Sequence, residues 1–214
     1  MLLTVDKVCA LIETRDGKGR TLNIIPKPNL QELRKKGGAS IDLRLGRWFL
    51  TIRQSSTTLI DVDDDPAIIV GQKSYFVPFD EKFILHPGRF VLGITLEWIC
   101  LPERIAGYVT GKSSWGRRGL IIETAAGIHP GFSGCLALEL ANVGELPIAL
   151  RPGMPICQIF LHQTTEGKMA SSAFDGRRRP VLGLIKKDEV LRFLSSRGFS
   201  GELIAGQTQD PSAG

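Results

Sequence analysis

The 214-residue sequence has no apolar run near the length of about 18 residues that a membrane-spanning helix needs, so a membrane span is not expected. It has no C-x-x-C pair. Its four cysteines, Cys9, Cys100, Cys135 and Cys157, lie far apart in apolar surroundings, as buried free thiols of a reducing compartment would. Aromatic residues make up only 7% of the chain, and apart from Trp115 none falls within the basic clusters at Arg34–Lys36, Lys112–Arg118 and Arg177–Arg179. A stacking platform for single-stranded nucleic acid is therefore missing, and a nucleic-acid partner is not expected. The opening stretch carries Asp6, Lys7 and Glu13 among its apolar residues and lacks a small-residue cleavage pattern. A secretory signal is thus not expected, and the cytoplasm is the expected location.

A 43% hydrophobic content and a mean hydropathy of +0.04 suit a folded chain with a sizeable core. The formal charge of +5 and pI near 9.2 suit a polyanionic partner, either a nucleic acid or the phosphates of a nucleotide. Thr4 followed by Val5, Val8, Cys9 and Ile12 predicts an amphipathic helix ended by Gly17 or Gly19. The run RKKGG reads as a loop. From Ala39 to Gln163 the chain offers short Val-, Ile-, Leu-, Phe- and Thr-rich runs broken by Gly, Pro and Asp. They are Ser40–Leu45, Trp48–Ile52, Phe90–Trp98, Ala106–Thr110, Gly119–Glu123, Cys135–Asn142 and Ile156–His162. Such spacing predicts a barrel or sandwich that is mainly β. Val62–Pro66 reads as an acidic loop. Beyond Thr165 the composition is that of a mobile arm, followed by a helix from Asp188 to Gly198 and a disordered tail.

Three segments could carry chemistry. Gly111-Lys112-Ser113-Ser114-Trp115-Gly116-Arg117-Arg118-Gly119 follows one apolar strand and precedes another. Its hydroxyls, backbone N–H groups and cations could surround phosphate oxygens, although a solvated basic turn has the same composition. It is not a Walker A loop. In Cys135-Leu136-Ala137-Leu138-Glu139-Leu140, strand alternation puts the leucines on one face and Cys135, Ala137 and Glu139 on the other. Small neighbours leave room for a ligand above Glu139, a carboxyl suited to moving protons, although a carboxylate on a solvent-facing sheet face has the same pattern. Thr124-Ala125-Ala126-Gly127-Ile128-His129-Pro130-Gly131-Phe132-Ser133-Gly134 has small residues that let a ligand approach backbone closely. No His-x-Glu with Pro-Cys-x-x-Cys is present, so the zinc-deaminase signature is missing, as are a tetrahedral Cys/His set and a G-x-S-x-G elbow.

Four ordered motifs, G-K-S-S-x-x-R-x-G-L, T-A-x-x-I-x-P-G-F-S-G, L-E-L-x-N and L-R-P-G-M-P-I-x-Q, resemble the dCTP deaminase family of the trimeric dUTPase superfamily. Ala39–Gly46, Leu85–Gly88 and Leu101–Gly107 add to a resemblance that spans roughly Leu3 to Pro180. It implies a distorted dUTPase-like β-barrel of jelly-roll type with a few short helices. A single domain over residues 1–180 would include a closing arm near 165–180, with residues 181–214 as an extension. It also implies a homotrimer with active sites at the subunit interfaces, dCTP and dUTP as ligands, and dTTP as a feedback inhibitor. Mg²⁺ would enter bound to the triphosphate, and no zinc would be used. By the same resemblance Lys112, Ser113, Ser114 and Arg117 would hold the nucleotide. Glu139 would shuttle protons for attack of water at C4 of cytosine, with Ser113, Arg117 and the carbonyl of Ala125 placing the water. Thr124, His129, Ala137, Leu138 and Gln158 would also line the substrate.

Three positions depart from the family pattern. Lys112 stands where Arg is usual, His129 stands where Asp is usual, and Phe174-Asp175-Gly176-Arg177 only loosely matches the arm motif. The expected reaction is zinc-independent hydrolysis of dCTP to dUTP and ammonia. Ala126-Gly127 and Gln158 resemble instead the bifunctional branch, which forms dUMP and pyrophosphate, while His129 points away from it. A nucleotide-binding regulator on the same scaffold is the remaining alternative.

Overall fold

The computed structural model describes residues 1–14, 21–52, 71–123, 127–167 and 175–183. Met1–Arg53 with Gly71–Leu182 form one compact unit. A second unit comprises Gln54–Val70 and Gly183–Gly214, nearly all outside the described residues. The acidic loop at Val62–Pro66, the helix from Asp188 and the tail expected from the sequence therefore lie outside the described residues, as does Thr124–Ala126.

Helix α1 (Val5–Glu13) is capped by Thr4, whose hydroxyl accepts from the Lys7 backbone N–H. It ends sooner than its glycines suggest. Thr14 is already extended, and its backbone N–H and hydroxyl both bond to the Ala10 carbonyl. After β1 (Asn23–Ile25) comes α2 (Leu30–Lys36), where the basic run was expected to be a loop. The reason is capping at both ends. Asn29 Oδ1 accepts from the N–H groups of Gln31 and Glu32 at 3.1 and 3.2 Å, and Gly37 closes the helix at φ 68°. Arg34, Lys35 and Lys36 fall in the last turn, where cations suit the helix dipole.

The strands are β2 (Ser40–Arg44), β3 (Trp48–Ile52), β4 (Gln72–Phe76), β5 (Phe83–Leu85), β6 (Phe90–Cys100), β7 (Ile105–Gly111), β8 (Leu120–Glu123), β9 (Ser133–Asn142), β10 (Ile148–Leu150) and β11 (Pro155–Gln163), with a short helix α3 (Ser113–Gly116). The fold is mainly β with a few short helices, as expected. Among the described residues the strands form three antiparallel sheets: β4-β3-β6-β9-β8 with β1 also on β6, β2-β11-β7, and β10-β5. The core between them holds Leu43, Leu45, Phe49, Val91, Leu138, Leu140 and Ile156, none more than 1% exposed. All four cysteines are free. Burial pushes the Cys157 thiol up to about 12, helped by the charges of Glu97 and Asp42.

One irregularity sets the register of the large sheet. Ile94 pairs with Ala137 and Trp98 with Cys135, so Thr95, Leu96 and Glu97 bulge opposite Leu136 alone. The Thr95 hydroxyl accepts from the Leu136 N–H and donates to the Glu97 carbonyl, both at 2.9 Å. The Glu97 carboxylate is only 6% exposed and accepts the Arg44 backbone N–H at 2.9 Å, which ties β2 to the bulge. Burial raises the Glu97 carboxyl above its usual range, opposed by the Arg44 N–H. A raised acid costs stability as pH climbs from its unfolded value, 4.5, through its folded value. Glu97→Gln, which keeps an acceptor without the charge, is expected to remove that loss in urea unfolding compared at about pH 5 and pH 8. Glu97→Ala is expected to lose about 1–3 kcal/mol by leaving the Arg44 N–H unpaired.

Candidate active site

Strand β7 delivers the chain to Lys112, which sits at the N-cap of α3 with extended backbone and no side-chain capping bond. The turn that follows is tight. Arg117 N donates to Ser113 O at 3.0 Å, Gly116 O accepts from Gly119 N at 3.0 Å, and Arg118 Nη1 reaches Ser114 O at 2.6 Å. Gly119 at φ 86° leaves the turn so close to Gly144 that a Cβ would lie 2.6 Å from its backbone, so only glycine fits. α3 packs against β8, and β8 pairs with β9. Ser113, Ser114 and Arg117 are exposed, and none of their side chains finds a partner among the described residues.

Lys112 is different. Its ammonium lies 2.6 Å from Asp42 Oδ1, and the other oxygen of that carboxylate receives Lys36 Nζ at 2.9 Å. Asp42 stands on β2, opposite Gln158 of β11, and Gln158 Oε1 accepts from the Ser40 hydroxyl at 3.1 Å. The structure thus joins Lys112 and Gln158 through residues that motif reading left without a role. Burial raises the Asp42 carboxyl, but the hydrogen bonds and charges of Lys112 and Lys36 outweigh it and hold it below its ordinary value of 3.8.

On β9 the burial alternates residue by residue, with Leu136, Leu138 and Leu140 inward and Cys135, Ala137 and Glu139 half-buried on the opposite face. The expected faces are therefore found. Leu138 is 0% exposed, so its side chain belongs to the core. Glu139 has Leu92 of β6 on one side and Glu123 of β8 directly opposite on the other. Two carboxylates facing each other across a ladder weaken the pairing, and sequence reading passed over Glu123. His129 is exposed in the loop before β9, where its carbonyl accepts from Phe132 N, while Ile128 beside it is buried and bridges to Gly107. Thr124 and Ala125 lie outside the described residues.

The segment Asp175–Pro180, expected within a mobile arm, is held against the first half of β9. Gly176 N donates to Ser133 O at 2.7 Å, and Cys135 N donates to Arg177 O at 3.0 Å. Arg178 stacks over Trp98 at 4.6 Å and Arg179 over Trp48 at 3.9 Å. The basic run is thus anchored on aromatic rings. Among the described residues no group of three or more His, Cys, Asp and Glu could hold a metal ion, and no helix is long and apolar enough to cross a membrane.

On this mainly β chain a hydroxyl- and cation-bearing turn leads into β8, and the carboxylate of Glu139 stands on β9, the strand paired with it. A family model described as dCTP deaminase-like matches residues 6–164, and the chain belongs to that family. It is 44% identical over 151 residues to a "dCTP deaminase, dUMP-forming" of Corynebacterium diphtheriae, covering 67% of this chain and 80% of the relative. A protein of the same description from Mycolicibacterium smegmatis is 45% identical over 164 residues, covering 74% and 85%. Among solved structures, a 2'-deoxycytidine 5'-triphosphate deaminase from Agrobacterium tumefaciens superposes with a TM-score of 0.54 at 22% identity. That match covers 75% of this chain and 47% of the other, and it speaks to the fold. The names of the close relatives favour the dUMP-forming alternative over release of dUTP.

Because pairing lowers the Asp42 carboxyl, its contribution to stability is complete above 3.8 and is lost as pH falls through the folded value. Acid titration followed by circular dichroism is expected to show that limb in the wild type. It should be absent from Asp42→Asn, whose stability at neutral pH is correspondingly lower.

Proposed function

We propose that the chain is a dCTP deaminase that carries its substrate to dUMP. Water and dCTP give dUTP and ammonia, and a second water then gives dUMP and pyrophosphate. The observation that carries this reading is the 44% identity to a dUMP-forming relative over two thirds of the chain, a span that contains the Ser113–Arg117 turn and Glu139.

The substrate is the Mg²⁺ complex of the nucleotide, which brings the metal with it. Lys112, Ser113, Ser114 and Arg117 take the triphosphate and the edge of the base, and Gln158 supports that wall. Ala137 leaves space above the sheet beside Glu139, with Thr124 and the backbone of Leu138 completing the lining. Glu139 takes a proton from the water that attacks C4 and passes it to N3. It then moves the second proton from the new C4 hydroxyl to the amine, which leaves as ammonia, so both protons of the water are placed and the carboxylate is restored. The carbonyl of Ala125 and the Ser113 hydroxyl place the water, and the Arg117 guanidinium meets negative charge as it develops.

The half-buried face around Glu139 also carries Ile121, 41% exposed, and Phe90, 45% exposed. An apolar rim about this acidic face suits contact with a second copy, and we take the active unit to be a homotrimer. dTTP, sharing the sugar and triphosphate, is the expected competing ligand. At the position where the family has Asp, the exposed His129 imidazole can hold the sugar hydroxyl or accept a proton from the second water.

Glu139→Gln is expected to retain dCTP binding within about threefold and to lose at least about 10³-fold in turnover, in the range for removal of a general acid–base. Ammonia release within tenfold of wild type would remove Glu139 from the role. With dCTP and Mg²⁺ supplied, chromatography is expected to show dUMP and pyrophosphate. His129→Ala should stop at dUTP while His129→Asp still forms dUMP. If wild type accumulates dUTP alone, the diphosphatase step is wrong.

A further inference from the structure

Lys36 and Lys112 come from separate parts of the chain, the end of α2 and the end of β7, yet they occupy the two oxygens of one carboxylate. The carboxylate is held by strand pairing on β2, next to the Ser40–Gln158 bond. Lys112 is also fixed through its backbone, whose N–H donates to Ile156 O at 3.1 Å. Two ammonium groups against one carboxylate leave an excess positive charge. No other acid pairs with either lysine among the described residues.

Fold stability does not account for both pairs. The Lys36 side chain is 67% exposed, and such a pair contributes little to folding. The Lys112 and Asp42 side chains are 25% and 29% exposed, so desolvation offsets much of their attraction. The same arrangement does have a use beside a polyanion. A carboxylate that grips both cations holds their charge at fixed points, which lowers the entropy lost when phosphate oxygens arrive. Lys112 leads straight into the unpartnered hydroxyls of Ser113 and Ser114.

We infer that Lys36 and Asp42 belong to the polyphosphate subsite. Lys36 supplies a second ammonium to the outer phosphates, and Asp42 is a positioning residue that sets both lysines. This rests on the reading of the Ser113–Arg117 turn as the triphosphate cradle.

Inorganic triphosphate, Mg²⁺–dCTP and dCMP are titrated calorimetrically into wild type, Lys36→Ala, Asp42→Asn and Asp42→Glu, with steady-state deamination measured alongside. Lys36→Ala is expected to weaken triphosphate and dCTP about three- to tenfold and to leave dCMP unchanged, as loss of one phosphate-facing charge predicts. Asp42→Asn should raise KM for dCTP about tenfold with kcat within about twofold, and Asp42→Glu should recover part of the loss, the pattern of lost ground-state binding. Triphosphate affinity unchanged in Lys36→Ala, or tightened in Asp42→Asn, overturns the inference, whatever happens to melting temperature. Wild type that binds triphosphate but frees no ammonia from dCTP overturns the deaminase reading and leaves this subsite standing. Wild type that frees ammonia but binds no triphosphate overturns the subsite alone.

Discussion

The structure depends on β9 being hydrogen-bonded along both edges. Strand β6 runs along one edge for its full length, apart from the bulge opposite Leu136. The other edge is shared, with Asp175–Arg177 against Ser133–Cys135 and β8 against Glu139–Asn142. A strand paired on both sides cannot slip by one residue without moving three buried leucines to the open face and Glu139 into the core. That cost makes the position of Glu139 a property of the whole sheet. The Thr95 hydroxyl and the Glu97 carboxylate mark where the register is reset, and Glu97 carries the constraint on to β2 through the Arg44 N–H.

Most of the large sheet was legible because its strands are long enough to show alternation. Trp48–Ile52 has the bounds its pattern predicts, Gly119–Glu123 and Cys135–Asn142 agree to within a residue or two, and so does Ser40–Leu45 in the β2-β11-β7 sheet. β5 and β10 have three residues each, too few for a period to stand out. α2 was hidden by its own charge, since RKKGG looks like solvated loop until Asn29 and Gly37 are seen as its two caps. The arm was hidden in the opposite way. Its arginines look like solvent-facing charge, but two of them lie on the rings of Trp98 and Trp48, contacts between residues about eighty and more positions apart in the chain.

The same distinction runs through the candidate site. Glu139 could be found from local alternation, and the Lys112–Arg118 turn from composition. Asp42 could not, because its meaning lies in the antiparallel pairing of β2 and β7 with β11, which brings Asp42 and Thr110 to either side of Gln158. An acid inside an apolar strand is a local signal that a partner must exist, and both Asp42 and Glu97 carry it. Which partner each has chosen is a matter of register, and register is a long-range property. The two acids resolve the same problem differently. Glu97 has a backbone N–H and a raised carboxyl, whereas Asp42 has two ammonium groups and a lowered one.

Net charge also takes on a different meaning once its parts are placed. A chain at +5 invites the idea of a nucleic-acid surface. Yet Arg34 is paired with Glu13, Arg44 reaches the Gly153 carbonyl, Arg118 the Ser114 carbonyl, and Arg47, Arg178 and Arg179 lie over aromatic rings. These guanidinium groups are engaged within the chain, so they do not form the open stripe that follows a phosphate backbone. Arg117 keeps an unengaged guanidinium among the described residues, and the two lysines on Asp42 keep a surplus of positive charge. A few cations fixed close to free hydroxyls match the compact charge of a triphosphate better than the extended charge of a nucleic acid. The basicity of this chain therefore argues for a small polyanion through its placement, which the total alone could not do.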